Sequence, residues 1–192
     1  MATLNPAALV ASIQGKFGNL VFAHDRNGRI IVRHRPVRKA PITAAEAAGQ
    51  ARLIEANRYV LQVRQRPEIY AAYKAAAAVA GKRACDLARA DYLHAPAVHD
   101  VDLSDYTGRT DQPIRIRASD DFEVTAVQVG LFSLAGAAYE SGLAVPEERG
   151  ASACWQYLSQ TVVAPGSTLL VVVTACDRAG NRTTKTCHHA LL

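Results

Sequence analysis

Leu169-Leu-Val-Val-Val-Thr-Ala-Cys-Asp-Arg-Ala-Gly-Asn-Arg-Thr-Thr-Lys-Thr-Cys-His-His-Ala190 reads as two β-strands joined by a tight turn. The turn is Asp177 to Asn181. An Asp side chain there can accept from the turn amides, and Gly180 supplies a left-handed backbone. Residues 169–175 and 182–190 are the flanking strands. A chain that ends this way points to antiparallel β structure in its second half.

Working outward from that hairpin, the same reading holds back to Pro113. Residues 113–119 alternate strictly, with Ile114, Ile116 and Ala118 on the inward side. Residues 124–133 put Val127, Val129 and Leu131 on one face. Residues 137–145 and 154–160 follow, and 98–103 form a first strand. Turn residues separate them: Asp120-Asp121, Ala135-Gly136, Glu148-Arg-Gly150 and Pro165-Gly166. About seven short strands with regular turns are the signature of a β-sandwich.

The first half reads differently. Phe17 to Ala23 and Arg29 to Arg35 are two strands of a hairpin, with Asp25-Arg-Asn-Gly28 between them. Asn-Gly favours the positive φ angles of a tight hairpin. Ile30 and Val32 share one face; Arg29, Arg33 and Arg35 share the other. Pro36 to Pro41 is a linker. Thr43-Ala-Ala-Glu46 is a capping box that opens a helix running to Arg64, whose apolar side is expected at Ala47, Ala51, Ile54, Tyr59 and Leu61. Pro67 opens a second helix at a permitted first-turn position. Gly81 is a candidate break, after which Cys85 to Tyr92 continues helically.

The motif Ala175-Cys-Asp177-Arg-Ala179-Gly180-Asn181, the strand Ile114 to Ala118 with Asp120-Asp121 after it, and the single Trp155 resemble bacterial immunoglobulin-like domains. The resemblance covers roughly half the chain. It implies a sandwich fold and almost nothing about activity. The strand at 113–119 carries no cysteine, so the antibody-type disulfide is not implied. Gly15 to Phe22, with Val32-Arg-His-Arg-Pro36, is similar to the N-termini of uncharacterised bacterial and phage-encoded proteins, which implies a particle component.

The expected fold class is thus α+β in several parts: an N-terminal β-hairpin arm (1–41), a helical hairpin of two helices (42–95) and an all-β Ig-like sandwich (96–192). Charge divides the chain along similar lines. Residues 1–89 hold fifteen Lys and Arg against five acids, and residues 90–192 hold seven against twelve. Halves of +10 and −5 point to different partners for each, or to attraction between them. The N-terminus carries no basic region ahead of its apolar stretch, so no signal peptide is expected and synthesis is placed in the cytoplasm. Cys176 is expected opposite Thr183 and Cys187 opposite Val172, too far apart along the ladder for a bridge. Free thiols are the expectation for all four cysteines.

No nucleophile elbow, phosphate loop or zinc helix occurs in the sequence, and a non-enzyme without cofactor is expected. Cys154, Cys176, Cys187 and His188 match no zinc spacing, and the three cysteines are expected as buried residues of the sandwich core. Asp100, Asp102, Asp105, Asp120, Asp121 and Asp177 are either a calcium-capable set at one pole or solvated turn residues. Tyr59, Tyr70, Tyr73 and Tyr92 are expected in the core. The candidate working surfaces lie in the arm. Phe17, Leu20, Phe22, Ile30 and Val32 are assembly residues. Arg29, Arg33, Arg35 and Arg38, with Arg26 and Lys39 near them, are basic contacts. A structural subunit of a phage-like particle or other assembly is the expected function, with copies of itself or other subunits as partners and no membrane. The alternatives are nucleic-acid binding through the basic half and an Ig-like adhesive module.

Overall fold

The computed structural model describes residues 14–25, 28–37, 41–147 and 154–191. The chain divides into two compact units, Met1–Glu46 and Ala47–Leu192. Its secondary structure is mixed α+β, with three helices and three antiparallel sheets among the described residues.

The first unit holds a three-stranded sheet: β1 (Gly15–Phe17), β2 (Leu20–His24) and β3 (Ile30–His34), in that order. The expected hairpin gains a strand because Gly18 and Asn19 interrupt what reads as a single run. Phe17 pairs directly with Leu20, so these two residues form a two-residue turn. Gly18 takes a φ of 57°, as the first position of a primed hairpin turn requires. At the β2–β3 turn, Asp25 accepts from the Arg29 amide at 2.7 Å, and Gly28 has a φ of 75°.

Helix α1 (Ala44–Arg64) starts at the capping box. Thr43 Oγ1 accepts from the Glu46 amide at 3.2 Å, and Glu46 Oε2 accepts from the Thr43 amide at 2.9 Å. Helix α2 (Pro67–Val79) and helix α3 (Ala84–Leu93) follow, so the helical part has three helices and not two. Gly81 makes the difference. Its φ is 63°, the Lys82 amide bonds the Ala77 carbonyl, and the Gly81 amide points at Ala78. This is a Schellman ending, which stops α2 and redirects the chain. The buried side of α1 is Ala56, Val60 and Val63. Ile54 and Leu61, expected inside, are exposed. Burial follows the partners that α1 meets, Tyr73, Ala77 and Leu87, in one small core.

The second unit continues with eight strands in two four-stranded antiparallel sheets. One is β4 (Ala97–Asp102), β5 (Pro113–Ser119), β9 (Cys154–Leu158) and β8 (Val145–Glu147); the other is β11 (Arg182–Ala190), β10 (Thr168–Asp177), β6 (Val124–Ser133) and β7 (Ala138–Leu143). Ile114 and Ile116, Val127, Val129 and Leu131, Trp155 and Tyr157, and Leu169, Val171 and Val173 form a single core shared by both sheets. The strand expected over 137–145 divides at buried Ala144, whose amide bonds the Val127 carbonyl. There the chain leaves one sheet for the other. The Glu148–Gly150 turn lies outside the described residues.

The β10–β11 register sits one residue from the expected one. Cys176 pairs with Arg182, and Cys187 pairs with Val171. The Asp177 amide bonds the Asn181 carbonyl, so Asp177 and Asn181 close the turn themselves. A one-residue change of register moves side chains to the other face. Cys187 packs at the core, while Cys176 lies on the opposite side of the sheet. All four cysteines are free thiols, and burial pushes the Cys187 thiol up.

Candidate functional site

In the three-stranded sheet, the register decides which side chains share a face. Phe17 stands opposite Leu20, Phe22 opposite Val32, and His24 opposite Ile30. The five expected assembly residues, Phe17, Leu20, Phe22, Ile30 and Val32, therefore lie on one face, flanked by His24 and His34. Lys16 stands opposite Val21, and Val21 opposite Arg33, which puts both cations on the other face. Arg29 and Arg35 follow the alternation of Arg33 onto that side. None of the residues described over 14–37 is buried; Phe17 is 78% and Val32 50% exposed. The sheet thus has one apolar face and one basic face. Arg38, with Arg26 and Lys39, lies outside the described residues.

The acidic set expected at one pole does not stay together. Asp100 is held by Arg117 at 3.2 Å. Asp105 bonds Arg115 at 2.6 Å, and Asp102 lies 4.0 Å from the same guanidinium. Asp121 pairs with His94 Nδ1 at 2.5 Å. Asp120 and Asp177 meet, and with them stands Asp91, for which the sequence predicts no role. One carboxylate oxygen from each lies within 4.8 Å of the others. The set Cys154, Cys176, Cys187 and His188 does not converge, since Cys154 is on a different sheet from the other three.

Each member of the trio comes from a different element. Asp91 sits on the buried side of α3, a turn beyond Leu87 and Ala88, and is wholly inaccessible. Its Oδ2 accepts from the Tyr73 hydroxyl at 2.5 Å and from the Tyr59 hydroxyl at 3.4 Å. Asp120 is in the β5–β6 loop, where its Oδ2 accepts from the Phe122 amide at 3.0 Å. Phe122 stacks on Tyr73 at 3.9 Å between ring centres. Asp177, at the end of β10, accepts from the Gly180 and Asn181 amides, each at 2.7 Å.

Asn181 joins the pieces. Its side-chain amide donates to Asp177 Oδ2 at 2.7 Å and to the carbonyls of Asp91, Tyr92 and His94 at 2.9–3.3 Å. The first two carbonyls belong to the last turn of α3, where the helix itself supplies no donor, and His94 is the residue that follows it. The β10–β11 turn therefore caps the helix. Burial pushes the Asp91 carboxyl up to about 7 against the pull of the Tyr73 hydroxyl, and Asp120 and Asp177 push it further in the same direction. The signal in the sequence was an Asp at a core-facing helical position, four residues after Leu87.

No protein-family model matches the chain, and no curated protein matches it. Two solved structures are similar in part. An engineered protein is 21% identical over 50% of this chain and 20% of its own, with a TM-score of 0.34. A DUF4426 family protein from Pseudomonas aeruginosa is 17% identical over 49% of this chain and 87% of its own, with a TM-score of 0.32. At these scores the likeness identifies neither a fold family nor an activity.

Proposed function

We propose that this protein is a non-enzymatic assembly subunit, of a phage-like particle or a comparable multi-subunit structure, and that its N-terminal sheet is covered by a neighbouring subunit. The observation that carries the reading is the apolar face of Phe17, Leu20, Phe22, Ile30 and Val32, on which Phe17 and Val32 are exposed and the other three only half-buried. A small sheet is marginal in water unless its apolar face is packed, and an exposed apolar face of this kind marks an interaction surface. The occupant is a second copy of this chain. The basic face of Lys16, Arg29, Arg33 and Arg35 complements residues 90–192, whose net charge is −5. The similarity of residues 15–36 to phage-encoded N-termini points the same way.

The sandwich is read as immunoglobulin-like. Naming its strands A to G in chain order, with β7 as C′, the sheets run A-B-E-D and G-F-C-C′, the order of that fold. Such a domain presents loops and edges to partners.

The test is the solution mass, by light scattering, of the full chain and of a chain lacking residues 1–40. The full chain is expected to form a defined oligomer, and the shortened chain to be a folded monomer. A monomeric full chain with a protease-resistant N-terminus overturns the proposal. In that case salt-sensitive nucleic-acid binding through the basic face becomes the reading to pursue.

A further inference from the structure

The trio Asp91, Asp120 and Asp177 presents a charge problem. Asp91 is fully inaccessible and Asp177 nearly so. Among the described residues no Lys or Arg forms an ion pair with any of the three. Arg178, beside Asp177 in sequence, is taken by Glu123. The neutral donors are already committed: the Tyr73 and Tyr59 hydroxyls to one oxygen of Asp91, the Phe122 amide to one oxygen of Asp120, and the β10–β11 turn to Asp177.

Two oxygens remain. Asp91 Oδ1 and Asp120 Oδ1 are both buried and receive no hydrogen bond. An unpaired carboxylate oxygen away from water is among the costliest things a fold can hold. Two such oxygens, with the Asp177 carboxylate beside them, converge from α3, the β5–β6 loop and β10 and call for positive charge between them. A single proton shared by Asp91 and Asp120 leaves the Asp177 charge held only by the neutral donors of Gly180 and Asn181. A divalent cation answers all three.

We infer that Asp91, Asp120 and Asp177 bind a hard divalent cation, calcium in preference to magnesium or zinc, and that the cation ties helix α3 to the two neighbouring turns of the sandwich. The ligands are all carboxylate oxygens, which disfavours zinc. The burial of Asp91 and Asp177 leaves little room for the water shell that magnesium retains.

The experiment uses the full chain, freed of metals by a chelator and then melted with and without added CaCl2 or MgCl2. Terbium serves as a luminescent stand-in for calcium, sensitised by Tyr73 and Tyr59 beside Asp91. Calcium at a hundredfold excess over its Kd should raise Tm by about 5–10 °C, with a smaller effect of magnesium. Terbium should luminesce on excitation of the tyrosines and be displaced by calcium. Asp120→Asn should abolish both responses while melting no lower than the chelated wild type, because it removes a repelling charge. Asp91→Asn is the second variant, should the first fail to fold. A wild-type Tm indifferent to millimolar calcium, with no sensitised terbium emission, overturns the inference and leaves a shared proton as the counter-charge. A calcium response that survives in both variants overturns it too, since the ion then binds elsewhere.

Discussion

Among single residues, Asn181 carries more of the architecture than its place in a surface turn suggests. Its one amide group serves Asp177 and three carbonyls at the end of α3. Asn181→Ala removes a donor that several buried or half-buried acceptors share, and it should cost about 1–3 kcal/mol. Asn181→Asp should cost more. It turns a carboxylate toward those carbonyls and toward Asp177, adding like charge where a donor is needed. Urea denaturation without divalent cation checks the order. If Asp is tolerated as well as Ala, the amide is not the clasp described. The Asp-Arg-Ala-Gly-Asn turn was legible in the sequence as a turn. That it caps a helix was not, because Asn181 and Asp91 stand ninety residues apart, and local turn chemistry is silent about what the turn touches. Asp91 was missed for the same reason. A buried acid is intelligible only once Asp120 and Asp177 are seen beside it.

Elements were legible where periodicity and punctuation agree, and illegible where either is weak. Strands β5, β6 and β11 have the bounds expected for them: alternation marks β5, one apolar face of Val127, Val129 and Leu131 marks β6, and the Asp177–Asn181 turn marks the start of β11. Strand β1 has three residues and no period to read. Helix α1 is rich in alanine all round, so its apolar side could not be singled out by spacing. In the N-terminal sheet, the Asp25–Gly28 turn sets the β2–β3 register, and that register puts Phe22 against Val32 at the middle of the apolar face. Replacing both with Ser should leave the sheet's hydrogen bonds available and take away the core of the contact. Burying these two side chains at an interface is worth about 3–5 kcal/mol together, so the oligomer's dissociation constant should rise at least about a hundredfold. The melting of residues 47–192 should not change. Sedimentation over a concentration series reads the first quantity, and calorimetry the second. An unchanged dissociation constant would mean that the apolar face lies outside the contact.

For the whole molecule, the two faces of the N-terminal sheet should do different jobs, and salt separates them. The apolar face supplies affinity, because burying it is insensitive to ionic strength. The basic face meets the field of an acidic neighbour at a distance, and exposed ion pairs add little once contact is made. Charge of this kind speeds encounter more than it holds the complex. Raising salt from about 50 to about 500 mM shrinks the screening length from roughly 14 to 4 Å. The association rate should therefore fall about tenfold or more, with the dissociation rate nearly constant. Rapid-mixing light scattering after dilution, and after a concentration jump, gives the two rates separately. Should dissociation accelerate with salt as strongly as association slows, the arginines would sit within the closed contact. The basic and not the apolar face of the sheet would then be the one a neighbour covers, and the five apolar residues would need another partner.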